Sequence, residues 1–477
     1  MFIDVFMALA VPVLLGCSLM RLVVPYDTAA RRALILGYGT LLGLLLTTLL
    51  LRLVDSMGLG LSFGYTAVLA LLLVALTPLL GRFTRRVLPT PAPVPPAPTW
   101  SGLGSGGKAL FGALLVLVLW RIGILAQEVW WRPLFPWDAT MHWATKARVW
   151  FAQGEMVPFV TPSEWLQRAG DAVYTDRHPN YPPAIPLLQV WMSLAVAQWH
   201  ESLINLPWVV AFSALGLAFF AQLRIAGLGL PLAMAATYIL LSMPLINIHV
   251  ALAGYADMFL GATFACAVMA LHNWSVKRDR WQGGLMLLFA ALCYLIKNEG
   301  AIWPMTLIPA IAAAFMARRE AAKLFVLLCL LGLFGWLVVP KDLELAGTTL
   351  TQLQPMFNVE ALIGVITSTL VHASWHLFAY LLAMLIPLGA LVPGVLTREL
   401  LPVTVALASA VGLFLFLFLF TGFGWAASDY SAVGRLSIQL APGLAFLAAL
   451  VFHKLMLGRK VRLWGPVRRI QTPPESW

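Results

Sequence analysis

The chain alternates long apolar runs with short polar connections. A hydrocarbon core of ~30 Å takes about 20 apolar residues in a helix, so each run predicts a membrane-spanning helix. Barrel strands would instead alternate polar and apolar residues over about ten positions. The thirteen predicted spans cover residues 3–22, 33–53, 62–81, 109–127, 204–223, 230–249, 256–274, 282–297, 301–317, 323–340, 375–396, 401–421 and 435–456. The predicted fold class is therefore all-α, a polytopic transmembrane helical bundle.

One further apolar segment, residues 184–200, is short and rich in proline and tryptophan. We expect it to lie in the membrane interface or to re-enter, because only then do the basic loops fall on one side. Most of the 31 lysines and arginines then share that side, which the positive-inside tendency assigns to the cytoplasm. The first run begins beside Asp4 and lacks a basic leading region, so we interpret it as a retained span with its N-terminus outside.

Composition agrees with a membrane protein, since 61% of the residues are hydrophobic and 11% are charged. The net charge of +11 is explained by basic loops beside anionic lipid, and no basic-aromatic pattern predicts a nucleic-acid partner. The bilayer is the expected partner of the whole chain. The four cysteines all lie in apolar runs without paired spacing, which predicts neither a disulfide nor a zinc site.

Four parts follow from these patterns. Residues 1–81 form a three-span N-terminal segment, and residues 82–108 form a cytoplasmic linker rich in proline and then glycine. Residues 109–456 form the main transmembrane body, whose first large outer loop covers residues 128–203. Residues 457–477 form a basic cytoplasmic tail.

The outer loop opens with the stretch FPWDATMHWATKARVWF, residues 135–151. Asp138 beside an apolar helix is a candidate catalytic carboxylate. His142 follows one helical turn later and could orient it, while Lys146 and Arg148 could contact an anionic substrate. The tryptophans of this stretch are equally typical of an interfacial belt.

Other polar residues reach the same predicted face from distant segments. His178 and Tyr181 lie in the outer loop, Asp257 begins a span, Lys297 and Glu299 form a tight outer turn, and Arg435 opens the last span. We expect Lys297 and Arg435 to bind a phosphate, although long cations at helix ends can also snorkel to the interface. Glu164, Asp171 and Asp176 lie in a hydrophilic loop, where we expect solvated side chains.

The order of these motifs resembles the GT-C superfamily of integral-membrane glycosyltransferases that use polyprenyl-phosphate sugars. Protein mannosyltransferases and lipid A aminoarabinose transferases are members. The likeness covers residues 109–456 and depends on an outer-loop Asp, then Tyr-Pro-Pro, a second outer Asp, a Lys-Asn-Glu-Gly turn and a late Arg-Leu. It implies that Asp138 and Asp257 are the catalytic acids. Many relatives carry paired acids in the first loop, whereas here Ala139 follows Asp138, so a divalent metal ion is possible but not required.

The resemblance implies an inverting transfer of a sugar from a polyprenyl-phosphate donor to a hydroxyl of a glycan, lipid or protein. The site would face the periplasm from a bacterial inner membrane. Asp138 would take the acceptor proton, and cations would stabilise the departing phosphate. Two alternatives stay open: a transporter or lipid flippase without catalysis, and a ligase-like enzyme that transfers a whole glycan from a lipid diphosphate.

Overall fold

The computed structural model describes residues 1–87, 100–168, 170–338, 340, 344–345, 348–349, 357–372 and 375–463. Within these ranges the chain is predominantly helical and contains few strands, as the apolar runs predict. The centre of the predicted linker, residues 88–99, and the end of the predicted basic tail, residues 464–477, lie outside the described residues.

Four long helices come first. They are α1 (Phe2–Val23), α2 (Arg31–Val54), α3 (Phe63–Val87) and α4 (Ser105–Trp131). A π-helical turn, Asp55–Leu59, extends α2. Helices α3 and α4 continue past the predicted linker limits at residues 82 and 108. Hydropathy marks where the hydrocarbon ends, and a helix can continue beyond that limit with charged residues in its terminal turns.

The predicted outer loop contains short elements. They are α5 (Thr145–Gln153), β1 (Phe159–Val160), α6 (Pro162–Gln167), β2 (Tyr174–Thr175) and α7 (Ala184–Val196). Strands β1 and β2 pair in parallel, with Phe159 opposite Tyr174.

The chain then forms α8 (Leu206–Ile225), α9 (Leu230–Leu241), α10 (Pro244–Ala251) and α11 (Asp257–Lys277). Next come α12 (Arg280–Cys293), α13 (Leu307–Phe315) and α14 (Arg318–Val338). A small antiparallel pair, β3 (Glu344–Leu345) and β4 (Thr348–Thr349), follows. The remaining helices are α15 (Val359–Ile366), α16 (Leu377–Leu391), α17 (Leu401–Phe420), α18 (Trp425–Ser428) and α19 (Val433–Leu463).

Eight of the described helices are long and apolar enough to cross a membrane: α1, α2, α3, α4, α8, α11, α17 and α19. Helices α9 and α10 make a ninth if they form one span, although a bend of 57° separates them. Pro244 begins α10, and the missing amide hydrogen of proline explains the break. The other predicted spans coincide with the shorter helices α12, α13 and α16 and with α14.

The N-terminal helices pack tightly into the body. A Cβ atom on Gly16 would lie 1.8 Å from the carbonyl oxygen of Gly39, so α1 and α2 touch backbone to backbone, as small residues permit in membranes. The Tyr38 hydroxyl of α2 donates to the Cys266 carbonyl at 2.8 Å and accepts from Gln222 at 2.7 Å. The linker thus joins two parts that form one bundle.

Helix α7 occupies the doubtful segment. Its 13 residues reach about 20 Å, too short to cross the hydrocarbon core. The indole of Trp191 donates to the Ala8 carbonyl of α1 at 2.7 Å and stacks on Phe63 of α3. These contacts seat α7 inside the bundle and agree with the prediction of a segment that does not span.

The helix ends place the candidate residues together. One end of the bundle, which we call the site end, collects the ends of four helices and the starts of three others. The helices that end there are α2, α4, α10 and α12, and those that begin there are α8, α11 and α19. Three contacts join its parts: Leu61 N–H to the Gly154 carbonyl at 2.7 Å, Trp208 Nε1–H to the Tyr255 carbonyl at 2.8 Å, and the ion pair of Asp138 with Arg435.

Candidate active site

A π-helical segment, Ala139–Ala144, begins the helix that carries the opening motif. Asp138 lies at its start, and the Thr145 hydroxyl donates to the carbonyl of Thr140, five residues earlier. A π-helix pairs residues five apart, so side chains four apart no longer stack on one face. This explains why His142 is not the partner of Asp138 that the sequence predicts.

The partner of Asp138 is Arg435, at the start of α19. Its Nη1 lies 2.6 Å from Asp138 Oδ2, and its Nε lies 3.3 Å from Asp257 Oδ2. The guanidinium carbon stands 4.5 Å from the centre of the Tyr255 ring. One arginine thus joins two aspartates that are far apart in the sequence, and the aromatic face below it adds a cation–π contact.

Asp257 forms the buried base of the cluster. Its side chain is fully buried, and its Oδ1 accepts from Lys297 Nζ at 3.0 Å and from Gln439 Nε2 at 2.6 Å. Lys297 also pairs with Glu299 at 2.9 Å, and Trp303 Nε1–H donates to Gln439 Oε1 at 2.5 Å. Every oxygen of Asp257 is therefore engaged by protein.

These contacts change the predicted roles of two residues. Asp257 is enclosed by its own partners, so it can hold Arg435 and Lys297 in place but reaches no substrate in this conformation. Lys297 is 3% exposed and is bound between two carboxylates. A phosphate contact through Lys297 would require these pairs to open. Asp138 is the more accessible acid, with 27% of its side chain exposed.

A second buried cluster lies beside the first. Asp176 Oδ1 lies 2.5 Å from His142 Nδ1, and Asp176 Oδ2 lies 2.7 Å from Lys146 Nζ. Lys146 also donates to the carbonyls of His178 at 2.7 Å and Pro179 at 3.2 Å. Asp176 therefore organises the loop residues, whereas the sequence predicts a solvated carboxylate there.

Burial opposes ionisation of Asp176, but His142 and Lys146 outweigh it and hold the pKa of this carboxyl below its usual range. With Asp176 ionised, the shared hydrogen belongs to His142 Nδ1. Nε2 makes no hydrogen bond among the described residues. His142 is thus oriented by Asp176, which corrects the expected pairing with Asp138.

The other two predicted substrate-binding residues of the outer loop, His178 and Tyr181, lie between the Asp257 cluster and the Asp176 cluster. The His178 ring lies 5.0 Å from that of His142 and 5.1 Å from that of Tyr181. Burial and His142 lower the pKa of His178. Burial and the nearby Glu299 raise the pKa of Tyr181 to about 12. Both side chains are therefore neutral near pH 7.

Arg148 is not brought to either cluster. It is exposed on α5 and makes no hydrogen bond or ion pair within the described part of the chain. Residues 146 and 148 point to different sides of one helix, so Lys146 is buried while Arg148 is not. The prediction that Arg148 contacts substrate gains no geometric support.

No metal-binding group of three or more His, Cys, Asp or Glu side chains occurs in the ranges that the structure describes. Asp138 and Asp257 approach each other, but Arg435 stands between them. A guanidinium here supplies the positive charge that a metal ion would otherwise bring between two carboxylates. The residues present therefore do not fit a divalent ion in this conformation.

A cavity of about 440 Å³ opens beside the second cluster. Its walls come from the end of α2, the segment 156–159, the Pro-rich segment 179–184 and the residues that follow α12. Tyr181 and Asn298 line it, and Asn298 stands between the two ion-paired residues Lys297 and Glu299 in the chain. The segment 297–299 thus lies between the cavity and the ion cluster of Asp257.

Sequence reasoning missed three residues of the site. The hydrophilic loop predicts a solvated Asp176, Gln439 lies within an apolar run, and Tyr255 carries no charge that marks it as functional. A signal existed for Gln439, since it lies one turn after Arg435 on the same helix face.

Comparison of the chain with protein-family models, curated proteins and solved structures finds no match.

Proposed function

We propose that the protein is a GT-C-type glycosyltransferase that moves a sugar from a polyprenyl-phosphate donor to a hydroxyl acceptor with inversion. The single observation that carries the proposal is the junction of Asp138, Arg435 and Asp257. A partly exposed carboxylate beside a cation that a buried carboxylate holds in place is what this displacement needs. The proposal includes thirteen spans, made of the eight long helices, the bent pair α9–α10, α12, α13, α14 and α16.

The proposed membrane is a bacterial inner membrane, with the site end facing the periplasm. The charge pattern of the loops supports this orientation, since most lysines and arginines lie in loops on the side of the membrane opposite the site end. The buried ion pairs of the site end lie at helix ends rather than along a path through the bilayer. This distribution favours a membrane-surface enzyme over a transporter or flippase.

In the proposed reaction, the acceptor oxygen attacks the anomeric carbon while its proton passes to Asp138. The new carbon–oxygen bond forms as the bond between that carbon and the phosphate oxygen breaks. The leaving polyprenyl phosphate keeps the electron pair and gains negative charge. Arg435 lies where it could stabilise that charge, and preorganised cations of this kind contribute several kcal/mol to phosphate departure.

Arg435 is bound to Asp138 Oδ2 before substrate arrives, so this oxygen is not free to reach an acceptor hydroxyl. A donor phosphate that competes for Nη1 would release Asp138 and leave the bond from Nε to Asp257 in place. The base is then free when the donor is present. His142, held by Asp176, and Tyr181 would line the route of the acceptor.

The experiment is sugar transfer from a synthetic polyprenyl-phosphate donor by purified protein in detergent. Asp138→Asn keeps the size of the side chain and removes its basicity, so turnover should fall about a hundredfold or more while donor binding persists. The matched control is Glu164→Gln in α6, which should keep full turnover. Among the described residues, the Glu164 carboxylate forms an ion pair with Arg168 alone.

Near-normal turnover in Asp138→Asn, with donor binding intact, would remove Asp138 as the base. Mass spectrometry of copurified lipid separates the proposal from the ligase-like alternative. A monophosphate carrier supports it, and a diphosphate-linked glycan contradicts it.

A further inference from the structure

The ion cluster has more negative than positive groups. Within the described ranges, the ion pairs of Asp138, Asp257 and Glu299 are with Lys297 and Arg435 alone. Each of these two cations already holds two carboxylates. A lipid phosphate that enters this cluster meets carboxylates as well as Arg435. A substrate with a charged phosphate therefore needs further cationic groups close by.

The adjacent cavity has the opposite character. Two cations, Arg52 and Lys146, line it, and none of its lining residues is a carboxylate. Lys146 is already bonded to Asp176 and to two carbonyls, so it contributes no free hydrogen. The Arg52 guanidinium takes part in no hydrogen bond or ion pair among the described residues. It is the cation of this cavity that is free to bind an anion.

The donors around Arg52 suit a phosphate. The side-chain amides of Asn180 and Asn298 line the cavity and make no hydrogen bonds in the described part of the chain. Asp55, one turn after Arg52, accepts from the backbone amide of Met156 at 3.4 Å and does not line the cavity. A planar guanidinium and two amide side chains that line one cavity supply donors for the oxygens of a phosphate.

The position of Arg52 points to a lipid rather than a soluble anion. It lies in the last turn of α2, a helix apolar enough to cross the membrane, so its charge lies at the depth of the lipid headgroups. Leu49, Leu187 and Leu295 line the same cavity and can contact the first carbons of a chain. A volume of about 440 Å³ is within the usual range for a ligand pocket.

We propose that this cavity binds the phosphate of a membrane lipid through Arg52. The N-terminal helices, which lie outside the region of the GT-C resemblance, then form one wall of the substrate site. The proposal rests on the proposed function for the identity of the lipid, which is the spent carrier, the sugar-free polyprenyl phosphate that remains after transfer at Arg435. The phosphate-binding step itself needs no sugar transfer.

The test is binding of sugar-free polyprenyl phosphate to the full chain in phosphatidylcholine nanodiscs, followed by native mass spectrometry. Arg52→Gln should weaken binding about tenfold to a hundredfold, the equivalent of one charge-assisted contact. The matched control is Arg32→Gln, an exposed arginine at the other end of α2, and should bind as the unmodified protein does. The Arg52 side chain has no partner among the described residues, so its removal should not unfold the protein.

Two further arms identify the source of the phosphate. Inorganic phosphate at millimolar concentration should not displace the lipid, and the uncharged polyprenol should not bind. Equal affinity in Arg52→Gln and Arg32→Gln, displacement by inorganic phosphate, or binding of polyprenol as strong as that of its phosphate would each overturn the proposal. Loss of binding in Arg52→Gln together with full turnover in Asp138→Asn would support this cavity and refute the proposed catalytic base.

Discussion

Removal of the Lys297 ammonium is the sharpest test of the buried cluster. Lys297→Met keeps the length and apolar stem of the side chain and removes its charge. Asp257 would keep Gln439 and the more distant Nε of Arg435, but would lose its closest cation. Its side chain has no exposed surface, so water cannot replace the lost partner.

The expected cost follows from the geometry. Two unit charges 3.0 Å apart interact by about 5 to 6 kcal/mol at an effective dielectric constant of about 20. Breaking a buried pair by removing one partner costs about 3 to 5 kcal/mol. We therefore expect Lys297→Met to lower the free energy of unfolding by several kcal/mol, which is much of the stability of a typical domain.

The assay is unfolding in mixed micelles of rising denaturing-detergent fraction. The control is Lys454→Met, which breaks the ion pair of Lys454 with Glu399 at 2.6 Å. Both of its members are partly exposed, so the cost should be about 0 to 1 kcal/mol. Addition of Asp257→Asn to Lys297→Met should recover stability, because it removes the unpaired buried charge.

Equal stabilities of Lys297→Met and Lys454→Met would refute the reasoning. Failure of the double variant to recover would also contradict it, because the cost would then come from packing rather than from charge. The sequence predicts the milder outcome of a folded protein with weaker donor use. The two outcomes differ because the sequence places Lys297 at a surface and the structure places it in the interior.

Three further predictions follow from the second cluster and the topology. The pKa of Asp176 is depressed in the folded protein, so its ionised form stabilises the fold above the pKa of about 4 that it has in the unfolded chain, and this stabilisation is lost as the pH falls further. Asp176→Asn should therefore flatten the decline of the melting temperature between about pH 4 and 2. Parallel declines in the two proteins would contradict this prediction. His142→Ala should reduce turnover less than Asp138→Asn, since His142 contacts Asp176, and an equal loss would assign His142 a direct role. Single cysteines at Ser101 and Ala172, in a protein without the exposed Cys329, should react oppositely with an impermeant thiol reagent on intact cells, and labelling of both from outside would reverse the orientation.

Hydropathy predicts most of the helices because burial of a helix in lipid depends on local composition. It predicts the limits of α3 and α4 less well, since a helix does not end where the hydrocarbon ends. The break between α9 and α10 and the short α13 depend on proline and on packing partners. Run length alone does not determine how such segments cross the membrane.

Part of the site was also predictable from local composition. Asp138, Asp257, Lys297 and Arg435 are charges at the ends of apolar runs, and charges there are costly unless they are paired or functional. Their pairing was not predictable. It depends on the phase of the π-helical segment after Asp138 and on the rotation of α19, which brings Arg435 and Gln439 to the same carboxylate. Asp176 was missed because a hydrophilic loop gives no sign that it folds inward.

The arrangement of Arg435 implies an order of events at the proposed site. Its Nε faces a carboxylate that is enclosed and held by Lys297, while its Nη1 faces one that is 27% exposed. An entering anion can therefore displace only Asp138, because displacement of Asp257 would leave a charge buried without its partners. In the proposed reaction, release of Asp138 would then depend on prior arrival of the donor phosphate. An acceptor that binds first would meet a carboxylate whose Oδ2 is occupied by Arg435, so proton removal would wait until the donor is in place.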